Sequence, residues 1–443
     1  LTIHGFNHKI LTLLNKIVER MVNIKVDKQR FEILKEKVKR SLQNFRRDVP
    51  YQLAMFGITY LTAEHLWNKE ELLSCIDGIT VHDLEVFIPR MLSRFYIDAL
   101  MYGNITKEQA CEYMSSLQRQ FQEHHYYQPL FPSLWLNQRE LKLPEGCNYG
   151  YLMLNDAHQL HAIEIYLQCF PQTIDNNALL EFFCYLIEEP CFDQLRTKEQ
   201  LGYVVSSGAR RSHGVQGFRV IVQSSVTLEH VNLRIETFLD SVKNMLVSMP
   251  DDIYVKQRES FTIKKVEIPK KMHNQGNKWW NEITTHQYCF ERPRLEVDVI
   301  KSLEREDILK FYEHYISPHS LYRRKLSLHV VPSPIAKQQS STTIEKDDNM
   351  LGVDAGSDDE EIDDGVKGER LVEVEFTPQS VQELTKQKPI ADIPLVEEIV
   401  EIEKALSKAL SVAEPDSKVI RIENMVKEEK PLALPQVCET DTY

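Results

Sequence analysis

Features that would mark several common classes of protein are missing from this chain of 443 residues. No apolar run approaches the length that spans a bilayer, and no charged-then-apolar leader opens the sequence, so we expect no membrane partner. No Cys-x-x-Cys pair occurs among the eight cysteines. Several of these cysteines lie in apolar strand or helix patterns, which is typical of buried thiols in a reducing compartment. The sequence therefore predicts a cytoplasmic protein.

A complete metal-binding motif is missing as well. His4 and His8 have the spacing of the inverted peptidase motif His-x-x-Glu-His, but Asn7 occupies the position of the catalytic Glu. Asn7 is a good helix N-cap, which would put His4 before the helix and His8 inside it. The pair His158 and His161 has no evident third ligand, and no His-Glu dipeptide occurs in the chain. We therefore predict no metal site in this chain.

Charge is distributed unevenly along the sequence. Residues 336–443 contain 12 Lys and Arg against 26 Asp and Glu, a net charge of −14, which leaves 41 basic and 40 acidic residues in 1–335. A balanced body without a nucleic-acid motif excludes the usual nucleic-acid-binding classes, so no nucleic-acid partner is expected. The segment EKDDNMLGVDAGSDDEEIDDG contains ten acidic residues and one Lys. It predicts a disordered acidic tail over 336–443.

Two related units are predicted ahead of this tail. Residues 1–125 read as a series of helices with a strand in RFYIDALMYG, residues 126–145 as a Pro-spaced connector, and residues 146–335 as strands, helices, a hairpin and a final strand. The tripeptide Lys-Gln-Arg opens a helix in each unit, and the order of elements that follows is the same, which indicates a duplication. The predicted fold class is α+β, with two units of antiparallel sheet covered by helices, the first lacking its early strands.

One stretch, EEPCFDQLRTKEQLGYVVSSGARR, holds two strong hydrogen-bond donors seven residues apart. Arg196 precedes a helix-to-strand turn at Gly202, and Tyr203 follows that turn. A guanidinium and a phenol together can hold a peptide carbonyl and stabilise the oxyanion that forms when water attacks it. On the residues alone, a surface Arg and a half-buried Tyr remain the alternative. The later segment VQGFRVIVQSS predicts either an edge strand that accepts an extended peptide or, as we favour, an interior strand.

This part of the sequence resembles the C-terminal half of insulysin-like enzymes, in the pitrilysin-type, inverted-zinc-motif metallopeptidase family. The resemblance rests on LRTKEQLGY, SGARR, GVQGFRVIVQS, RFEILKEKVKRSLQNFR and FIPRMLSRFYIDALMYGNITKEQA, and it covers essentially all of 1–335. It implies the fold shared by pitrilysin and mitochondrial processing peptidase. Residues 1–125 would then be a partial third (middle) domain, and residues 146–335 the fourth, non-zinc domain.

The resemblance also implies an activity. It indicates a zinc metalloendopeptidase that degrades peptides inside a chamber closed by two halves. This chain would supply chamber wall and substrate contacts, with Arg196 and Tyr203 as transition-state donors, while zinc would be bound by an N-terminal half that the chain lacks. The chain alone should then be inactive. Its partners would be peptide substrates, the N-terminal catalytic half and, as a further partner considered, a second copy in a homodimer.

A basic cluster surrounds Pro269 near the predicted end of a helix, and consists of Lys264, Lys265, Lys270 and Lys271. From composition alone it would be a solvated face. The resemblance implies an anion site here, for a polyanion or a nucleotide phosphate. Lysines stand at some positions where the family has arginines, and this weakens bidentate phosphate binding.

A second function is weighed against the peptidase half: a stand-alone, non-catalytic peptide-binding or regulatory subunit of the same fold. The early strands missing from the first unit argue against it, because a free-standing domain would need them to cover the edge of its sheet. The first residue is Leu rather than Met. This too leads us to expect a fragment or a processed form.

Overall fold

A computed structural model of the chain describes residues 1–124, 128–131, 134–135 and 138–333. The predicted acidic tail lies outside the described residues, as does part of the predicted connector. Within the described part of the chain, no helix is both long and apolar enough to cross a membrane.

Six α-helices form the first part of the chain: α1 (Asn7–Val22), α2 (Lys28–Gln43), α3 (Pro50–Thr62), α4 (Lys69–Ile76), α5 (Val81–Ser93) and α6 (Lys107–His124). Two of them begin at side-chain caps. Asp27 accepts a hydrogen bond from the backbone N–H of Arg30 at 2.7 Å, and Thr106 and Gln109 form a reciprocal capping box. The predicted Asn7 cap is wrong by one residue, since Asn7 is the first residue of α1 and Phe6 precedes it without a side-chain cap.

Little sheet accompanies these helices. From the predicted strand RFYIDALMYG only Arg94–Phe95 (β1) is paired, parallel to Gln128–Pro129 (β2). A two-residue pairing has too few ladder hydrogen bonds to be a stable sheet by itself. The antiparallel sheet expected in the first unit is therefore not found among its described residues, and α1, α5 and α6 instead pack around a small apolar cluster of their own.

The second part contains a five-stranded sheet, in the order β3-β7-β4-β6-β5. The strands are β3 (Asn148–Asn155), β4 (His161–Pro171), β5 (Val204–Ser212), β6 (Val215–Ser224) and β7 (Arg324–Pro332). All neighbours are antiparallel except β3 and β7. Strand β6 is interior, as the sequence favoured. The predicted β5–β6 hairpin is confirmed, and its turn residues His213 and Gly214 both have positive φ, 46° and 80°, as a type I′ turn requires.

The helices described in this part are α7 (Ile174–Phe192), α8 (Leu228–Ser248), α9 (Asp251–Val266), α10 (Met272–Thr284), α11 (Arg292–Ser302) and α12 (Arg305–Phe311). Helices α7 and α8 cover one face of the sheet, and α9, α11 and α12 pack on α7. Alternate side chains of β4, namely Ile163, Ile165 and Leu167, join the main apolar core with residues of α7, α8 and α12. Alternation places the intervening residues of the strand on the opposite face. The α+β class predicted from the sequence is thus confirmed.

The opposite face is covered in part by α3, a helix of the first part of the chain. Leu53, Ala54 and Ile58 of α3 are completely buried, in one cluster with apolar residues of β4 and β7. Gly57 permits this close approach, because a Cβ at that position would overlap the side chains of Leu328 and Met153. Fully burying a side chain the size of Leu53 or Ile58 stabilises a fold by about 1.5–3 kcal/mol. Helix α3 therefore joins the two parts of the chain firmly.

Replacing Gly57 with Ala should destabilise the protein although Ala favours helix, because the added methyl must displace packed side chains. We expect a loss of about 1–3 kcal/mol in the free energy of unfolding. The matched control is Gly276→Ala in α10, where the new Cβ would have an ordinary 3.5 Å contact with Tyr102. Urea unfolding should find the control neutral or slightly stabilised. Equal stability of the two variants would contradict the close packing of α3.

Candidate functional site

Arg196 and Tyr203, the two donors singled out in the sequence, are brought together by the structure. The guanidinium carbon of Arg196 lies 4.7 Å from the centroid of the Tyr203 ring and 4.8 Å from that of Phe192. The cation is thus held between two aromatic rings. At exposed sites each such contact contributes about 0.5–1 kcal/mol. Phe192 was not predicted from the sequence, although its position four residues before Arg196 on a helical segment is a signal that the sequence contains.

The backbone fixes this stack at the point where helix changes to strand. Helix α7 runs into a π-helical turn, Asp193–Lys198, and the buried Leu201 returns a hydrogen bond from its N–H to the carbonyl of Leu195 at 3.0 Å. π-Helical turns occur frequently at functional sites. Gly202 then passes so close to β6 that a Cβ would overlap the carbonyl oxygen of Gln223. Because only glycine fits at this position, the backbone that leads into Tyr203 is fixed.

An ion pair between α8 and Glu199 holds the same turn in place. Arg234 of α8 donates to both carboxylate oxygens of Glu199, at 2.7 and 2.6 Å, and Gln194 donates to Glu199 at 2.6 Å. The Arg234 hydrogen bonds hold the pKa of the Glu199 carboxyl below its ordinary value. A bidentate pair of this kind is geometrically rigid. It ties the residues between Arg196 and Tyr203 to the body of the domain.

Both candidate donors are available to a ligand. Tyr203 is 83% exposed. Within the described residues, neither the Arg196 guanidinium nor the Tyr203 hydroxyl has a hydrogen-bond acceptor. Two fixed donors with free N–H and O–H groups can bind a carbonyl oxygen and can stabilise negative charge that develops on it.

The four lysines predicted as an anion site are not all in one place. Lys264, Lys270 and Lys271 line an open surface pocket of about 500 Å³, together with His273. Lys265 faces the interior instead, where it forms ion pairs with Glu181 and Glu296. Burial lowers the pKa of the Lys265 ammonium.

The geometry therefore leaves three of the four predicted lysines free to meet an anion. Lys265 is committed to the buried carboxylate of Glu296 and the half-buried carboxylate of Glu181, and removing a partner from a buried pair is costly. The signal that separates Lys265 from its neighbours is burial against residues from distant parts of the sequence, which local composition does not contain.

The described residues contain no group of three or more His, Cys, Asp or Glu side chains that could hold a metal ion. His4, predicted to be separated from His8 by the start of the helix, lies outside α1, and the centroid of its ring is 5.9 Å from that of His273. The described side chains therefore offer no ligand set for a metal, and no chemistry of a metal is assigned to them.

Two models of protein domains match parts of the chain. Residues 1–75 match a family model described as the middle or third domain of peptidase M16, and residues 182–280 match one described as the PQQ synthase PqqF-like, C-terminal lobe domain 4. The second match contains both Arg196 and Tyr203.

The sequence relatives agree with these two matches. The chain is 41% identical to the insulin-degrading enzyme of Bos taurus over 331 residues, or 75% of this chain and 32% of the relative. It is 30% identical to the A-factor-processing enzyme of Saccharomyces cerevisiae over 335 residues, or 74% of this chain and 32% of the relative. The chain thus spans about a third of the length of the curated relatives it matches.

A solved structure shares the fold. The crystal structure of pitrilysin matches with a TM-score of 0.62 at 15% identity, covering 74% of this chain and 34% of that one. The sequence-based resemblance to a pitrilysin-type family is confirmed. Taken together, the two domain matches and the sequence relatives show that this chain contains a segment homologous to insulin-degrading enzymes, with a part that matches the third domain of peptidase M16.

Proposed function

We propose that residues 1–333 act as the C-terminal, substrate-contacting half of a peptide-degrading M16 endopeptidase. The observation that carries the proposal is the Phe192–Arg196–Tyr203 stack, which holds two donors without protein acceptors in a fixed, open position. Arg196 and Tyr203 bind the carbonyl oxygen of the scissile peptide and stabilise the charge that gathers there during hydrolysis. The remaining face of the domain forms part of the chamber wall.

The zinc of such an enzyme belongs, in this proposal, to another part of the assembled peptidase. Support comes from the described residues, which offer no ligand set for it. The role of this chain is then to bind and orient the peptide and to donate hydrogen bonds. Its activity depends on assembly with the catalytic half, whether that half is joined to it covalently or not.

Finer assignments follow the same proposal. Residues 1–125 act as a partial third domain, 126–145 as a connector and 146–335 as the fourth domain, in a cytoplasmic enzyme. Lys264, Lys270 and Lys271 bind a polyanion or a nucleotide phosphate, and are supported by their shared pocket. A homodimer remains a proposed state of the assembled enzyme.

The competing function is a non-catalytic peptide-binding subunit. One observation favours it: the described residues provide hydrogen-bond donors for a peptide but no group of side chains that could hold a metal ion. In that case the Arg196–Tyr203 site would bind peptides without cleaving them.

Reconstitution separates the two functions. The purified chain is mixed with the N-terminal half of a relative such as the bovine insulin-degrading enzyme, where the family resemblance implies the zinc motif, and hydrolysis of a fluorogenic peptide is followed. We expect no turnover by this chain alone and turnover by the mixture that a chelator abolishes. Zinc-dependent turnover by the isolated chain would refute the proposed division of roles. Peptide binding by the chain without turnover in any mixture would favour the binding subunit.

A further inference from the structure

A second pocket lies on the face of the sheet that α3 covers only in part. It is an open pocket of about 510 Å³. Apolar side chains of α3 and of the segment after it form one wall, and polar side chains of the β5–β6 hairpin form the floor; the residues that matter are Met55, Phe56, Leu66, Arg210, Ser212 and Arg219. A pocket with an apolar wall and guanidinium groups on its floor suits an anion that carries an apolar group.

Arg219 is the donor in this pocket without a close partner. Its side chain is 28% exposed, and no hydrogen-bond acceptor for it lies within the described residues. The nearest carboxylate oxygen, that of Glu164, is 3.9 Å away. This separation exceeds hydrogen-bond length.

Glu164 itself is an unpartnered buried acid. It lies on β4, completely buried, and neither of its carboxylate oxygens has a hydrogen-bond partner. Burial raises the pKa of the Glu164 carboxyl from its ordinary value of 4.5 to about 7. Near neutral pH a large fraction of Glu164 is therefore protonated, and the charge of Arg219 is left without full compensation.

The other two arginines near the pocket are already compensated. Arg210 donates to Glu140 and, at 3.2 Å, to Thr62, and its guanidinium carbon lies 4.7 Å from the centroid of the Tyr166 ring. Arg211 pairs with Glu181. One cation is thus left for a ligand, and one cation matches one monovalent anion. A polyanion would bring more negative charge than this single cation can balance.

We propose that this pocket binds a carboxylate attached to an apolar group, such as the C-terminal residue of a peptide presents. The carboxylate accepts hydrogen bonds from Arg219, because a guanidinium fork matches the two oxygens of a carboxylate. The apolar group packs on Met55, Phe56 and Leu66. The site is built from other residues than Arg196 and Tyr203, so it stands whether or not the proposed peptidase function holds.

The test is a calorimetric titration of the full chain at about pH 7.5. The ligand is N-acetyl-Ala-Ala-Leu, used once as the free acid and once as the amide. Hydrogen bonds to charged groups contribute about 1.5–3 kcal/mol, so the acid should bind at least about tenfold more tightly than the amide. Arg219→Gln should weaken binding of the acid by a similar factor. The control, Arg294→Gln, removes an exposed arginine of α11 and should leave the affinity unchanged.

Glu164→Gln should change the affinity for the free acid in the opposite direction. Removing the acid that competes for Arg219 should tighten binding of the free acid severalfold, whereas a variant that only damages the fold would weaken it. This variant also keeps the proposal testable if Arg219→Gln fails to fold. Tighter binding by Glu164→Gln together with weaker binding by Arg219→Gln would support the site.

Four results would overturn the proposal. These are equal binding of acid and amide where both bind, no binding of either the peptide acid or decanoate at millimolar concentration, full affinity in Arg219→Gln, and tighter binding of inorganic phosphate than of either carboxylate. Decanoate, an alkyl carboxylate without peptide groups, distinguishes the source of the ligand. Its binding with Arg219 dependence, in place of the peptide acid, would support a carboxylate site for a fatty acid rather than for a peptide end.

Discussion

Replacing Arg196 with Ala in the assembled peptidase is expected to lower kcat by about 10²–10³-fold, the loss typical of removing one preorganised donor to a developing oxyanion. The guanidinium is held between Phe192 and Tyr203 before any substrate arrives, so little reorganisation is needed for it to act. Its loss should therefore lower kcat more than it raises KM. Zinc content, measured by atomic absorption, should be unchanged because no described residue near Arg196 belongs to a metal site.

Tyr203→Phe is the sharper companion variant. It keeps the ring that stacks on Arg196 and removes only the hydroxyl donor, so a fall in kcat would report the hydrogen bond and not the stack. Tyr203→Ala removes both, and should be worse than Tyr203→Phe if the ring positions Arg196. Arg294→Ala, an exposed arginine on α11, serves as the control. Peptide hydrolysis at the rate of the unmodified enzyme in both Arg196→Ala and Tyr203→Phe would remove these residues from the mechanism.

Glu164→Gln is expected to stabilise the fold at pH 8. The pKa of this buried carboxyl rises from 4.5 to about 7 on folding. Between these two values the folded state binds the proton and the unfolded state does not. Stability is therefore lost as pH rises through this range, and the penalty is complete only above the folded pKa. The difference between the two pKa values corresponds to roughly 3 kcal/mol, of which Gln should recover about 1–3 kcal/mol at pH 8.

Urea unfolding of the two proteins at pH 5 and pH 8 measures this effect. The difference in the free energy of unfolding between the variant and the unmodified chain should grow from pH 5 to pH 8. Comparing the two proteins at each pH cancels the contribution of other groups that titrate in the same range. A less stable variant at pH 8 would mean that the Arg219–Glu164 attraction outweighs the cost of burying the charge. That result would also argue against the proposed carboxylate site, because Arg219 would then have a strong partner of its own.

Local features were the most predictable from the sequence. The Asp27 cap and the Thr106 capping box depend on residues within three positions of each other. The β5–β6 hairpin likewise depends on a turn that only a few residue types adopt. The donors Arg196 and Tyr203 were found because their chemistry is legible in one stretch, though their roles still rest on the family resemblance and stay predictions.

Features that depend on contacts between distant segments were not predictable. The fate of Lys265 is decided by Glu181 and Glu296, which are far from it in sequence. The parallel pairing of β3 with β7 joins strands from opposite ends of the second part, and no local pattern specifies it. The pocket at Arg219 escaped notice for the same reason, because helix and hairpin meet there only in the folded chain.

The burial of α3 has a consequence for how the chain can be divided. Leu53, Ala54 and Ile58 belong to one apolar cluster with Leu328 and Val330, on the last strand of the sheet. A domain boundary drawn along the sequence therefore cuts through a shared core. A protein made of the second part alone would expose the apolar face that α3 covers, and one made of the first part alone would expose α3. Unfolding should accordingly be cooperative across both parts, so that in folding they behave as one unit whatever their ancestry.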